Sequence, residues 1–266
     1  MSAHKNIVVG VDASRNRSGG AKAHLIGLLN KGNPLDHGIR QVHVWAYRSL
    51  LDAVPERGWL IKHNPAELEQ SLIRQVMWQT LRLPAEVRAA GCDIMLNTDA
   101  GTMSSVSPCV TMSRDMLSYE PGEIERYGWS RARLRLILLR HIQNRSLQRA
   151  DGAVFLTRHA ARVIQQSCGM LRRVAFIPHG VGDAFQALTH AQAWPECGTR
   201  PIRLLYVSNA AWYKHQWMVI CAVGQLREQG INVTLTLVGG GSGPAQQKLR
   251  QQMIISDPHQ EFVIQK

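Results

Sequence analysis

Short apolar runs alternate with amphipathic stretches along the chain. The runs are rich in β-branched residues and end in turn residues, as in IVVGVDAS at residues 7–14. In the first part of the chain, the predicted strands cover residues 7–14, 39–47, 92–99, 109–116, 152–157 and 173–178, and the predicted helices cover 19–32, 65–90, 130–149 and 158–169. This alternation is typical of parallel βαβ units. It predicts an α/β fold with a doubly wound sheet that binds ligands at the carboxyl ends of its strands.

The alternation is interrupted once. Residues 186–201 contain two prolines and one glycine and show no clear period. Such a stretch is typical of an interdomain linker. Strands and helices then resume, which predicts a second Rossmann-like unit. We therefore expect an N-terminal domain over residues 1–186, a linker over 187–201 and a C-terminal domain over 202–266.

The charge of the chain narrows the choice of partner. Lys and Arg number 31 against 19 Asp and Glu, a formal net charge of +12. Such an excess favours a phosphate-rich partner, which is a nucleic acid, an anionic membrane surface or a phosphorylated small substrate. A nucleic acid is disfavoured because the chain has no RNP-like aromatic motif, zinc finger or clear recognition helix.

The sequence does not support a membrane-spanning, a secreted or a metal-binding protein. No apolar run approaches the ~18–20 residues of a membrane-spanning helix, and no secretory signal is visible at the N-terminus. The five cysteines are scattered without C-x-x-C spacing, and no H-E-x-x-H is present. We therefore expect a cytoplasmic protein that needs no metal.

Two glycine-rich turns follow predicted strands. Gly19 and Gly20 follow the first strand, whereas Gly239, Gly240 and Gly241 follow a strand of the second domain. Small residues at such places let backbone N–H groups and a helix N-terminus approach an anion. Neither turn has the dinucleotide-binding or P-loop pattern. A tight structural turn is therefore the alternative interpretation of each.

The predicted helix over residues 130–149 is rich in arginine. Because an α-helix has 3.6 residues per turn, Arg131, Arg135, Arg145 and Arg149 fall on one side of it. One interpretation is a packed helix with solvated arginines. The other is a surface that contacts anionic lipid headgroups or a lipid-linked phosphate acceptor.

Taken in order, several segments of the chain resemble the retaining glycosyltransferases of family 4. The resemblance covers nearly the whole sequence and is carried by the Gly-Gly turn, RADGAVFLTRHAARVI, VAFIPHGVGDAF and RLLYVSNAAWYKHQ...LTLVGGGSG. Ala150-Asp151 leads to Thr157 at the tip of a strand, as in the family. Residues 177–181, IPHGV, match the I-P-N-G-V turn of the family.

The resemblance implies the GT-B architecture, with a complete N-terminal Rossmann-like domain followed by a partial C-terminal one. The family's donor domain continues beyond a strand such as EFVIQK and carries a pair of glutamates. We therefore expect this chain to be a C-terminally truncated member and an incomplete catalyst by itself.

The resemblance also implies roles for residues of the second domain. The family places a lysine in the turn after the first strand of that domain, where it contacts the donor diphosphate, and Lys214 matches it. Many members have an arginine five residues earlier in this donor site, where this chain has Asn209. Residues 239–241 correspond to the glycine loop of the donor domain.

In the first domain, Gly19 and Gly20 match a turn that lies against the donor phosphate or the acceptor. Arg114 and Asp115 stand where many members have His-Asp near the transferred sugar. We expect this pair to face the cleft as catalytic residues. A surface ion pair at the end of a strand is the alternative.

The function that the resemblance implies is that of a hexosyltransferase. It would transfer a sugar from a nucleotide-sugar with retention and no cofactor, in bacterial surface polysaccharide or glycolipid synthesis. We expect it to work in the cytoplasm or peripherally at the inner membrane face. The alternative is a non-catalytic binding module or scaffold at the membrane surface, derived from a glycosyltransferase.

Overall fold

The computed structural model describes residues 6–17, 19–182 and 200–266. The chain divides into two compact units, with the boundary between residues 185 and 186. The predicted linker covers residues 187–201, and its residues 187–199 lie outside the described residues.

The first unit is built on a seven-stranded parallel sheet with the strand order β3-β2-β1-β4-β5-β6-β7. Its strands are β1 (Ile7–Asp12), β2 (Ile39–Trp45), β3 (Leu60–His63), β4 (Ile94–Asn97), β5 (Cys109–Ser113), β6 (Gly152–Phe155) and β7 (Val174–Phe176). Its α-helices are α1 (Gly19–Lys31), α2 (Arg48–Leu51), α3 (Leu72–Met77), α4 (Leu83–Ala89), α5 (Arg131–Arg149) and α6 (Arg158–Cys168). The predicted α/β fold class is confirmed.

Both faces of this sheet are covered. Successive side chains of a strand point to opposite faces, and β2 shows the consequence. Val44 packs with Leu25 and Leu29 of α1 on one face, whereas its neighbour Trp45 packs with Trp78 on the other. A parallel sheet that is buried on both sides explains why its strands appear in the sequence as continuous apolar runs.

Two predictions for this unit were wrong in detail. The structure has seven strands rather than six, because the four-residue β3 carries a lysine and lacks the apolar run used to recognise strands. The predicted helix over residues 65–90 is interrupted by a π-turn at Trp78–Arg82. Pro84 explains the interruption, since proline has no N–H and its ring crowds the carbonyl four residues before it. The turn widens by one residue, and the Leu83 N–H donates to the Trp78 carbonyl.

The second unit contains a three-stranded parallel sheet with the order β10-β9-β8. Its strands are β8 (Ile202–Val207), β9 (Val233–Val238) and β10 (Val263–Gln265), and its helices are α7 (Gln216–Glu228) and α8 (Pro244–Ser256). Ile220 of α7 and Leu249 of α8 pack with Leu235 and Leu237 of β9 in one apolar core.

The loop after β9 lies directly on the loop after β8. Gly239 has a φ of +105°, and a Cβ there would lie 2.6 Å from the Ser208 carbonyl oxygen. A Cβ on Gly241 would lie 2.9 Å from the Ala210 carbonyl oxygen. Gly240, between them, has no atom within 4 Å of such a Cβ. Two of the three glycines are therefore required by backbone packing, and the middle one is not.

We expect Gly239→Ala to destabilise the second unit by about 1–3 kcal/mol, because alanine must take a strained positive φ against a carbonyl oxygen. Gly240→Ala is the matched control and should leave the free energy of unfolding unchanged. Urea unfolding of both variants measures the difference. Equal stability of the two would contradict the close packing of these loops.

Candidate functional site

A buried carboxylate organises the carboxyl edge of the first sheet. Asp12, the last residue of β1, is only 4% exposed. Its oxygens accept hydrogen bonds from the Ser14 amide at 3.0 Å, Gln79 Nε2 at 2.5 Å and the Thr102 hydroxyl at 3.1 Å. Because these donors come from three separate segments, Asp12 fixes the loops that surround it.

Asn16 joins four elements at this edge. It is completely buried, and its Oδ1 accepts a hydrogen bond from Arg114 Nη2 at 2.8 Å and lies 3.0 Å from the Thr98 hydroxyl. Its Nδ2 donates to the carbonyl of Ala21 in the first turn of α1 at 3.3 Å. The loops after β1, β4 and β5 and the start of α1 are thus held together by one amide.

Arg114 follows β5 and lies inside this network. Its side chain is 8% exposed, and Nη2 lies 3.8 Å from Asp99 Oδ2. Burial lowers the pKa of Arg114, and the charge of Asp99 opposes this shift. Among the described residues, Nε and Nη1 are buried without a hydrogen-bond partner. Asp115 has a different role, since its carboxylate accepts from the Leu117 amide at 2.9 Å. The two residues are thus neighbours in sequence with different surroundings.

Two histidines lie within range of the charge of Arg114. The rings of His24 on α1 and His179 after β7 are 4.1 Å apart between centroids and tilted by 56°. Burial lowers the pKa of His24, and the charges of His179 and Arg114 lower it further. Burial and the charge of Arg114 likewise lower the pKa of His179. Both rings are therefore neutral at pH 7 and can donate a hydrogen bond or accept a proton.

The glycine turn leaves the start of α1 open. Gly19, with a φ of +62°, and Gly20 are its first residues. A Cβ on either would meet no atom within 4 Å. The backbone conformation requires glycine only at Gly19.

Asp151 before β6 and Thr157 after it, which carry part of the resemblance, both accept hydrogen bonds from backbone amides of the first unit. The Asp151 carboxylate accepts a hydrogen bond from the Cys109 amide at 2.9 Å. The Thr157 hydroxyl caps α6 by accepting from the Ala160 amide at 3.1 Å. Both contacts stabilise the fold.

In the second unit, Lys214 lies in the turn between β8 and α7. It ends a 3-10 helix at Trp212–Lys214, and its carbonyl accepts a hydrogen bond from the Tyr206 hydroxyl at 2.5 Å. Its Nζ lies 5.2 Å from the centroid of the Tyr213 ring. Asn209, earlier in the same loop, is exposed. The lysine backbone is therefore anchored to the sheet.

The two helices of this unit begin without side-chain caps. His215 at the start of α7 and Gly243 at the start of α8 make no side-chain capping hydrogen bond. The first amides of a helix have no intrahelical partner and carry a partial positive charge. Because both helices follow parallel strands, these amides lie at the carboxyl edge of the sheet, where Lys214 and Gly240 also lie. Such an arrangement suits an anion.

The four predicted arginines of α5 share one exposed face. Arg131, Arg135, Arg145 and Arg149 are all exposed, and none of the salt bridges among the described residues includes them. The same face carries Leu134 and Leu138, which are 67% and 57% exposed, and Trp129, just before the helix, is 99% exposed. The face is thus both basic and apolar.

Sequence reasoning missed the polar residues that join these loops. Asn16, His24 and His179 contact partners far away in the chain, so no local pattern marks them. Lys248 of α8 was also missed, although its Nζ lies 4.8 Å from the centroid of the Trp217 ring. The one signal available was His179 itself, which stands at the asparagine position of the IPNGV-like turn.

The part of the chain that the structure describes holds neither a candidate metal cluster nor a candidate membrane-spanning helix. No group of three or more His, Cys, Asp or Glu residues there is arranged to hold a metal ion. No helix among those residues is long and apolar enough to cross a membrane.

Similarity to known proteins is visible in structure only. No protein-family model matches the chain, and no curated protein matches its sequence. Sucrose-phosphate synthase from Thermosynechococcus elongatus is similar, with a TM-score of 0.60, 12% identity and coverage of 98% of this chain and 70% of that one. The lipopolysaccharide outer core galactosyltransferase WaaB is similar with a TM-score of 0.57 and 11% identity, and the match covers 97% of this chain and 67% of that one. The S. aureus MnaA–UDP co-structure is similar with a TM-score of 0.50 and 12% identity, and the match covers 97% of this chain and 68% of that one. The chain therefore has the GT-B fold of glycosyltransferases.

We expect Asn16→Ala to destabilise the first unit by about 1–3 kcal/mol, because it removes the oxygen that accepts a 2.8 Å hydrogen bond from a buried guanidinium. The matched control is Asn33→Ala, which removes an exposed hydrogen bond of 2.9 Å to Asp36. This control should change stability by no more than ~0.5 kcal/mol. Urea unfolding followed by circular dichroism compares the two. Equal effects would contradict the joining role of Asn16.

Proposed function

We propose that this protein belongs to glycosyltransferase family 4 and transfers a sugar from a nucleotide-sugar to a hydroxyl group, with retention at the anomeric carbon. One observation carries the proposal. In a chain with the GT-B fold, the second unit places Lys214, the glycine loop and two uncapped helix starts at one edge of its sheet.

The chemistry of this edge suits the leaving group of sugar transfer. As the bond to the sugar breaks, negative charge grows on the diphosphate. A lysine ammonium and helix amides that already point at this charge stabilise the transition state more than the ground state. Asn209 adds an amide where an arginine is frequent in the family. The UDP in the MnaA co-structure supports a nucleotide as the ligand class.

In the first unit, we assign Arg114 and Asp115 to the neighbourhood of the transferred sugar and Gly19 and Gly20 to a phosphate or the acceptor. The buried position of Arg114 supports a functional role, since a charged group is costly to bury without a purpose. We propose a hexosyl donor and a mechanism in which the leaving diphosphate assists proton transfer, without a metal or other cofactor. Bacterial surface polysaccharide or glycolipid synthesis is the proposed setting.

The exposed face of α5 supports a membrane-associated acceptor. Exposed leucines and Trp129 between arginines can enter the headgroup region while the guanidinium groups contact lipid phosphates. We propose that the protein works in the cytoplasm, peripherally at the inner face of the membrane, on a lipid-linked acceptor. The same surface also serves the alternative function, a non-catalytic module or scaffold at the membrane.

Donor turnover separates the two functions. A panel of nucleotide-sugars is incubated with the protein and an acceptor. Release of a nucleoside diphosphate supports sugar transfer, and a product linkage with the same anomeric configuration as the donor supports retention. Absence of release from every donor, with vesicle binding intact, would support the scaffold.

We expect Lys214→Ala to weaken nucleotide-sugar binding by ~1.5–3 kcal/mol, the range for hydrogen bonds to charged groups. Isothermal titration calorimetry measures this as a rise in Kd of roughly 10- to 150-fold. Arg203→Ala is the control because it removes one exposed positive charge near the start of the same strand, β8. An unchanged Kd in Lys214→Ala would exclude Lys214 from the donor site.

We expect vesicles with anionic lipid to bind the protein through α5 and to release it as salt increases, because each basic residue near the surface contributes about 1 kcal/mol that salt screens. Replacement of Arg131, Arg135, Arg145 and Arg149 by Gln should abolish co-sedimentation. The control replaces the exposed Arg40, Arg48, Arg57 and Arg88, which removes equal charge elsewhere. Equal loss in both variants would show that net charge, rather than this face, drives binding.

A further inference from the structure

The guanidinium of Arg114 lacks partners for two of its nitrogen atoms. Its side chain is 8% exposed, and Nε and Nη1 find no acceptor among the described residues. Buried polar groups in folded proteins are nearly always hydrogen-bonded, and leaving a charged one unpaired is costly. These N–H groups therefore call for an acceptor from outside the described residues, and a bound ligand can supply one.

The acidic neighbour of Arg114 does not fill this role. Asp99 Oδ2 lies 3.8 Å from Nη2, which is beyond a hydrogen bond. The other oxygen of Asp99 already accepts from the Gly101 amide at 2.7 Å. Asn16 satisfies Nη2 alone. The guanidinium thus keeps unused hydrogen-bonding capacity on its Nε and Nη1 side.

The groups around this guanidinium share a preference for an anion. His24 and His179 form a contacting pair within range of its charge. Each neutral imidazole can donate one hydrogen bond, and each becomes a stronger donor on protonation. Arginine offers N–H groups in a planar fork that matches two oxygens of one phosphate.

We propose that Arg114, His24 and His179 form a binding site for a phosphate group. The three donors come from the loop after β5, from α1 and from the segment after β7. The two histidine rings are in contact, and the charge of Arg114 reaches both of them. The site lies within the first unit and rests on the proposed function, to which it adds a phosphate ligand for Arg114. Its occupancy requires no turnover, so a failure of this proposal is distinguishable from a failure of sugar transfer.

Binding at this site is coupled to protons. The free histidines have pKa values below the ordinary 6.5, owing to burial and to the charge of Arg114. A bound dianion opposes that charge and raises both pKa values. Binding therefore takes up protons, and the affinity rises as the pH falls from the raised pKa values of the bound state to the lowered pKa values of the free state. Among the described residues, Arg114 is the charged group that acts on both histidines, and Asp99 lies 3.8 Å from its guanidinium.

Nuclear magnetic resonance of the full chain tests the site with inorganic phosphate as the probe. The expected result is a shift of the Arg114 Nε–H signal together with the ring signals of His24 and His179. Sulfate, which does not titrate in this range, replaces phosphate for the pH series, and its affinity should increase between pH 7.5 and 5.5.

Variants and ligands then decide the assignment. Arg114→Gln should weaken phosphate binding about tenfold or more, and His24→Gln should weaken it and flatten the pH dependence. His37→Gln, at an exposed histidine of the same unit, is the control. Tighter binding of a sugar monophosphate, or of a nucleoside diphosphate, at the same signals identifies the molecule that carries the phosphate, and either supports the site. Unchanged affinity in Arg114→Gln would overturn it. If that variant does not fold, unchanged affinity and pH dependence in His24→Gln would do so.

Discussion

Parallel pairing of the strands is the constraint on which the rest of the structure depends. β1 pairs in parallel with β2 on one side and with β4 on the other, and β8 pairs in parallel with β9. Every strand of each sheet therefore ends at the same edge, and every loop that follows a strand begins there. The candidate residues of both units, Arg114 and Lys214 among them, lie in such loops.

Buried hydrogen bonds fix the positions of the loops at the carboxyl edge of the first sheet. Asp12 and Asn16 use nearly all of their hydrogen-bonding capacity on neighbouring loops. A satisfied network of this kind is rigid, because moving one loop leaves several buried groups unpaired. Arg114 departs from this pattern, because its Nε and Nη1 have no hydrogen-bond partner among the residues that the structure describes.

The second unit reaches a similar result through backbone rather than side chains. The close approach of Gly239 to Ser208 fixes the loop that precedes α8, and the Tyr206 hydroxyl fixes the backbone of Lys214. Among the described residues of this edge, a ligand can meet the side chains of Lys214 and Asn209 and the starts of two helices that lack side-chain caps. A fixed backbone that presents a lysine and helix starts agrees with a binding site for an anion such as a phosphate group.

Local patterns were sufficient for much of the fold. Apolar runs identified six of the seven strands of the first sheet, and the 3.6-residue period placed Arg131 and Arg149 on one exposed face of α5. The short strand β3 was missed because it lies at the sheet edge with a mixed composition. Pro84 is the local signal in the sequence for the break in the long helix.

The candidate site was less accessible to sequence reasoning. Lys214 and Arg114 were selected from a resemblance, and their roles stay predictions. Asn16 and His24 gain their importance only from residues about 98 and 155 positions away, such as Arg114 and His179. Contacts of this kind are created by the topology of the sheet, so neither composition nor periodicity reveals them.

The most direct test of the account is an amide-resolved NMR map of nucleoside diphosphate binding to the whole chain. The account predicts that UDP or another nucleoside diphosphate shifts the amides of residues 209–217 and 239–246, around Lys214 and the glycine loop. Amides at the opposite edge, such as those of Arg203 and Val233, should not move. Shifts confined to that opposite edge, or no shift with any nucleoside diphosphate, would contradict the central claim that this edge of the second unit is a donor site.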